Sequence, residues 1–456
     1  MENEKLFDRG ILHEKAAEAL NNSGNKLLGL ASRSPIKDRG AEPFESRREP
    51  AETLTDGDII GEPKLAYSDI TGRIRTRYFV QDRQEVGLSE GGYEDLRRLA
   101  EKIRKTPPFN SGFSGEFVED LIFDWWADCT KGQCLNTLTD RLCASDETAV
   151  ARHHIIVPIA AIEVQGPFQF GHVLIAPMDR NLIAHMFNGA AEKNPEQSAL
   201  IEQARDRHLR ELAHLTAVHV SIVGEPTFAD GKAKKVAFDI ASMLRFMSPA
   251  ALTWNIGFPC YPHGCDHIRS TTTLRIEDNK VSSLSQGIID HGMFTWKLAT
   301  KELTEHMEGG FKNLAIFFED KETSGFQKRV WSALVAFSEG VGSFNPNNRL
   351  VYAMSALEHL FLKSEQEPIQ NSVGERLAFI LAKESDRRRE ILANFKRAYA
   401  LRSKRVHHLV TVDDEETLSQ FFLNAWLGVH RAIQVSRNYK KQTEFLDAID
   451  TVKFGG

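Results

Sequence analysis

An α+β region followed by an all-α helical bundle is what this sequence predicts, on three observations. Runs rich in β-branched residues, at 155–164 and 172–176 among others, lie before about residue 310, and these two are separated by the turn formers Gly166, Pro167 and Gly171. From about Thr323 the strand signal stops, and apolar residues recur at three- and four-residue spacing. Caps and breakers then divide this stretch into five short helical segments, the pattern of a bundle.

The bulk numbers set limits on function. The chain has 456 residues, room for two or three domains, with 41% hydrophobic and 26% charged residues, ordinary for a globular protein. Its formal charge of −6 means that contact with nucleic acid needs a local basic patch, because the global field is repulsive. The apolar run at 155–162 is far too short to span a bilayer, and no membrane contact is expected. The opening residues, Met1 to Lys5, lack a signal-peptide pattern, and five cysteines cannot pair off evenly. A reducing, cytoplasmic setting is therefore expected, with Cys129, Cys134 and Cys143 as small buried apolar residues.

Residues 1–61 read as a polar tail or linker, largely disordered. Leu12, Ala16 and Leu20 could seed a short helix, but 32–58 lacks the apolar surface that offsets ordering entropy. Residues 62–310 read as the α+β domain. Leu96, Leu99 and Ile103 mark a helix at 93–103, Phe117, Leu121 and Trp125 recur at four-residue spacing, and 198–212 reads as a charged helix. Further strands are expected at 217–223 and 271–276. Neither a fixed-period repeat nor a glycine fingerprint for phosphate binding is present.

Residues 311–440 read as the bundle, and 441–456 as a C-terminal tail. Phe326, Val330, Leu334 and Phe337 share one helical face, which Gly340 and Gly342 terminate. Asn345 and Pro346 supply an N-cap and a first-turn proline for the helix of Leu350, Met354, Leu357 and Phe361. Ser372 and Glu375 have capping-box spacing ahead of Leu377. Ile391, Phe395, Tyr399, Arg402 and Val406 form the next stripe, and Asp413 can cap a last helix carrying Leu418, Phe422 and Trp426.

The chemistry concentrates at 399–408, where Tyr399, Arg402, Ser403, Lys404 and His407 stand in register. This pattern resembles the Arg-x4–6-His motif of HEPN ribonucleases, the higher-eukaryote and prokaryote nucleotide-binding helical bundles, in the extended form that Apea-like members carry. The resemblance covers the last third of the chain only. Glu358 also matches a helix in which such domains often carry an acidic residue. Arg180 to His185 and Arg207 to His214 have allowed spacing without the surrounding pattern and are treated as decoys. One departure is His408, which stands where the family usually has glycine.

The resemblance implies an endoribonuclease, in a defence or toxin setting, that acts as a homodimer through the bundle. RNA cleavage by this route needs no metal or cofactor, because the RNA's 2′-hydroxyl is the nucleophile. Histidine titrates near neutral pH, so His407 would transfer a proton. Arginine keeps its charge and matches phosphate oxygens, so Arg402 would stabilise the transition state. Ser403 could bond a phosphate oxygen, Tyr399 could stack on a base, and Glu358 could hold Arg402. Lys396, Arg397, Lys404 and Arg405, with the run Arg387 to Arg389, would bind the RNA backbone. The region before the bundle would then serve a regulatory ligand or protein.

Five residues on a straight helix turn through about 140°, so Arg402 and His407 point to different sides. Either the helix frays after Ser403, or the two residues meet across a dimer seam. The bland alternative makes Arg402 and Glu358 a structural ion pair, His407 a helix C-cap, and the basic run a solvated face. The functional alternatives are an inert RNA- or nucleotide-binding module and a dimerisation scaffold. Cys260, His263, Cys265 and His267 place four potential zinc ligands in eight residues, but their two-residue steps suit a turn better than a tetrahedral site, and no metal is expected.

Overall fold

A computed structural model describes residues 12–35, 65–71, 73–82, 84–193, 195–213, 215–265, 270–277, 280–288, 295–319, 321–408, 414–453 and 455. The chain forms two units, Met1–His153 with Ile222–Lys232, and His154–Ser221 with Ala233–Gly456. As the sequence predicts, a region of helices and antiparallel sheets precedes a mostly helical one.

In the first unit, helix α1 (Glu14–Leu28) forms where only a helical seed is legible. Leu20 and Leu27 are buried on it, so the expected tail begins with packed structure, and residues 36–61 of it lie outside the described residues. Strands β1 (Ala31–Pro35), β2 (Leu65–Ser68), β3 (Ile74–Gln81) and β4 (Gln84–Leu88) pair antiparallel in the order β1-β4-β3-β2. Helices α2 (Glu90–Arg104) and α3 (Gly115–Thr130) cover the sheet's apolar residues, α4 (Leu138–Ala149) packs on α1 and α3, and the three N-caps are Ser89, Ser114 and Thr137. Trp126 lies at the centre, packed on Phe79 and Phe123, and its ring N–H donates to the Leu27 carbonyl at 3.0 Å. The cysteine expectation fails here. Gly132, with φ of 76°, turns the chain back beyond α3, and Cys129 pairs with Cys134 in a disulfide. Cys143 is exposed.

Strand β5 (Ala151–Ile159) is followed by β6 (Ile162–Val164), because Ala161, with φ of 64°, breaks the single strand expected at 155–164. Next come β7 (Phe168–Phe170), β8 (Val173–Pro177), α5 (Arg180–Lys193), α6 (Ser198–Leu212), β9 (Thr216–Gly224) and α7 (Pro226–Met247). The sheet order is β5-β9-β8-β7, so α5 and α6 form an excursion between paired strands. A hairpin of β10 (Ser270–Glu277) and β11 (Lys280–Ile288) leads to β12 (Trp296–Leu298), which pairs parallel with β6, and to α8 (Thr300–Glu308).

The helical region comprises α9 (Gly325–Gly342), α10 (Pro346–Phe361), α11 (Ile369–Leu381), α12 (Ser385–His408), α13 (Glu415–Val435) and α14 (Gln442–Lys453). Asn345 caps α10 as expected, its side chain accepting from the Asn347 N–H at 2.9 Å. The start of α11 differs from expectation. It begins after Pro368, a turn before Ser372, so Ser372 and Glu375 lie inside the helix. Asp414 caps α13 by accepting from the Thr417 N–H at 3.0 Å, while Asp413 lies outside the described residues. The expected C-terminal tail contains α14. Phe445, Leu446 and Ile449 are buried, and its acidic residues pair with Lys363 and Arg376.

Two buried arginines join this bundle to the segments ahead of it. Arg245 on α7 donates to the carbonyls of Ser338 (3.0 Å) and Cys260 (2.8 Å), to Ser242 Oγ (3.0 Å) and to Glu339. Arg349 on α10 donates to the carbonyls of Ala250 (2.8 Å), Thr253 (2.6 Å) and Ile256. Among the described residues no helix is long and apolar enough to cross a membrane.

The packing of α14 yields a prediction. Phe445→Ala should lower the unfolding free energy by about 3–5 kcal/mol, the range for emptying a buried aromatic site. Urea denaturation measures this, and a loss below about 1 kcal/mol would mean that α14 is not packed as described.

Candidate functional site

The site is carried on two helices of the bundle. Phe395 on α12 is fully buried, 6.2 Å from Phe421 of α13. Tyr399, one turn on, is half-buried and tilts over Phe395 at 6.5 Å. The Arg402 guanidinium sits 5.8 Å from the Tyr399 ring centroid, a cation–π contact. This stack is seated by α11. A Cβ at Gly374 would lie 2.7 Å from Leu392 and 2.9 Å from Phe395, so any side chain there would have to push these two aside.

Glu358 approaches Arg402 from α10. Burial raises the Glu358 carboxyl above the ordinary glutamate value, and the Arg402 charge partly opposes that shift. Yet the two form no ion pair with one another, and Glu358 Oε1 and Arg402 Nε are both buried without a hydrogen-bond partner. The structural ion pair of the bland alternative is therefore not made. Orphaned polar atoms at this depth cost on the order of 1–3 kcal/mol each, which fold stability alone does not explain.

Helix α12 runs unbroken to His408, so the fraying expected as one route to joining Arg402 and His407 does not occur in the backbone. The side chains of Arg405, His407 and His408 lie outside the described residues. Ser403 is half-buried, while Lys396, Arg397 and Lys404 are exposed. Within the basic run, Arg387 pairs with Glu390 at 2.8 Å and Arg389 with Asp386 at 3.4 Å. Arg388 is structural: its Nε donates to the Ala382 carbonyl at 2.9 Å, and its guanidinium covers the Phe379 ring at 3.9 Å.

Sequence reasoning missed a second feature of α12, an open groove of about 550 Å³ against α13, lined by Asn394 and Asn424 among others. Among the described residues, no three His, Cys, Asp or Glu side chains are placed to hold a metal ion. In the cysteine–histidine segment, Cys260 is buried and its thiol is pushed up to about 12 by desolvation. His263 and Cys265 are exposed around Gly264, and His267 lies outside the described residues.

The raised Glu358 carboxyl fixes the sign of a pH effect. A folded-state value above the unfolded one means that ionisation opposes folding. The destabilisation is absent below the unfolded value and grows as pH rises through the folded value. Glu358→Gln should thus be at least as stable as the parent at pH 7, with the difference shrinking toward pH 4, as read from melting curves across that range. A variant much less stable at pH 7 would mean that the carboxylate is structurally paired. Comparison of the chain with protein-family models, curated proteins and solved structures returns no match.

Proposed function

We propose that this protein is a metal-independent endoribonuclease of the HEPN type, acting as a homodimer through 311–440. The observation that carries the reading is the Arg402–Glu358 arrangement. Arg402 is held against Tyr399 near a carboxyl that does not neutralise it, so its guanidinium remains available for a phosphate. A motif of the same composition belongs to the HEPN ribonucleases, and its histidine follows five residues later on the same helix.

The reaction is transesterification. The 2′-hydroxyl loses its proton to one imidazole, its oxygen bonds to phosphorus, and the bond from phosphorus to the 5′-oxygen breaks. A protonated imidazole supplies the proton that the leaving oxygen takes up. When two α12 helices face each other across a two-fold axis, His407 of one protomer, which takes up the first proton and returns it to the leaving oxygen, meets Arg402 of the other at one phosphate. Arg402 neutralises the charge that develops on the phosphate. Ser403 and Lys404 contact the same phosphate, and Lys396, Arg397 and Arg405 follow the strand. In this reading the enzyme is a toxic effector in a defence response, and the segments before the bundle act as its sensor or regulator.

Arg402→Ala and His407→Ala should each reduce cleavage of total RNA by at least about 100-fold while leaving the melting temperature within a few degrees. A variant that unfolds or loses dimerisation would return Arg402 or His407 to a structural role.

Cleavage should persist in EDTA and leave a 2′,3′-cyclic phosphate or its opened form, detected by end-group analysis of the fragments. Activity that chelator removes and magnesium or zinc restores would overturn the mechanism. Specific activity should also fall on dilution below the dimer dissociation constant, followed by light scattering in parallel. A fully active monomer would remove the two-helix site.

A further inference from the structure

The motif leaves unused the face of α12 that turns toward α13. Across the groove there, Arg387, Asn394 and Arg397 stand opposite Glu416, Gln420 and Asn424. Its floor is polar. Asn394 and Asn424 are each only 2% exposed. Asn394 Nδ2 donates to the Thr417 carbonyl at 3.0 Å, and Asn424 Nδ2 donates to Asn394 Oδ1 at 3.2 Å. Gln420 Nε2 in turn donates to Asn424 Oδ1 at 3.2 Å.

This ladder is not saturated. A carboxamide has two donor hydrogens and an oxygen with two lone pairs. Asn394 and Asn424 each use one of each within the ladder and keep one of each. Apolar residues would close a helix–helix seam at lower desolvation cost. Buried amides with spare donors and acceptors beside an open groove suit a partner that carries both kinds of group on one edge.

Charge narrows the class of that partner. Two arginines and two glutamates line the groove, and Arg387 is already paired with Glu390. Their formal charges cancel, so the groove as a whole carries no net charge that would draw an anionic group inside. It suits a neutral, planar group with a hydrogen-bonding edge. Arg397 is exposed and forms no ion pair among the described residues. It stands five residues from Arg402, roughly 7.5 Å along the helix and about 140° around it, so a strand that reaches both wraps around α12.

Resting on the ribonuclease reading, we propose that the α12–α13 groove is a base-recognition subsite for the RNA. One unstacked nucleobase enters the groove with its donor–acceptor edge on the amides of Asn394, Gln420 and Asn424. Its backbone phosphate lies at Arg397. Carboxamides pair with bases that show a donor beside an acceptor, and proteins read single-stranded RNA by splaying bases out in this way. Occupancy of the groove then fixes which phosphodiester reaches Arg402.

The test uses the full chain with Arg402→Ala, so that binding is read without cleavage. Fluorescein-labelled oligo-A, oligo-C and oligo-U are titrated and followed by anisotropy. One of the three is expected to bind roughly tenfold tighter than the others, the worth of one or two hydrogen bonds. Ser419→Trp, which fills the groove from an exposed position, and the milder Gln420→Ala should each bring that preference below about twofold. Circular dichroism checks the fold of both. Equal binding of the three oligonucleotides, or a preference that survives both substitutions, overturns the subsite. If no oligonucleotide binds, the subsite and the RNA reading fall together. A preference that Ser419→Trp and Gln420→Ala abolish, in a chain whose Arg402 form cuts no RNA, supports the groove and removes only the nuclease.

Discussion

A guanidinium shut away from water is held by the protein oxygens that its N–H groups reach, and the terminal nitrogens of Arg245 and Arg349 organise the second unit in this way. Arg245 is fully buried, lies 4.1 Å from the Tyr261 ring centroid, and joins α7 to α9 and to the extended segment around Cys260. Arg349 has no carboxylate partner. It satisfies the carbonyls around the short turn Pro249–Leu252, and burial lowers its pKa to about 10, leaving it charged at neutral pH. Removing either side chain would strand several buried carbonyls, a loss of several kcal/mol. Because Arg349 sits near the start of α10, it also fixes the helix that brings Glu358 to Arg402.

Much of this arrangement was legible in local chemistry. Asn345 and Pro346 announce α10 because capping is a property of neighbouring residues. The stripe Ile391, Phe395, Tyr399 and Arg402 announces α12 and places Tyr399 and Arg402 on one face. What was not legible depends on distant partners. Ser372 has the spacing of a cap, but Pro368 starts α11 first. Helix α14 looks like a polar tail until Asp447 and Asp450 meet Lys363, and Asp450 also meets Arg376, from earlier helices. The first half of α7 buries alanines, Ala229, Ala233 and Ala237, whose apolar signal is faint. The amide ladder is invisible for the same reason: Asn394 reads as a surface residue until Asn424 is placed beside it.

The continuity of α12 constrains any chemistry at its end. With the helix intact through His408, positions 402 and 407 keep the roughly 140° separation of an ideal helix. A single chain then offers one of the two groups to any given phosphate, and a reaction that needs both draws them from two helices. The same continuity puts the groove and the motif on one rigid rod, at a fixed rise and a fixed turn from each other.

Gly374 shows how such a centre can be lost without being touched. No ligand reaches it, and it donates nothing to chemistry. Its missing side chain leaves the space that Phe395 occupies, and Phe395 supports the ring on which Arg402 rests. A genetic screen for loss of function would collect substitutions at Gly374 beside those at Arg402, and only folding measurements would separate them. A side chain at this position would have to displace Leu392 and Phe395, so its effect on activity would mimic that of an active-site substitution while arising only from the fit between two helices.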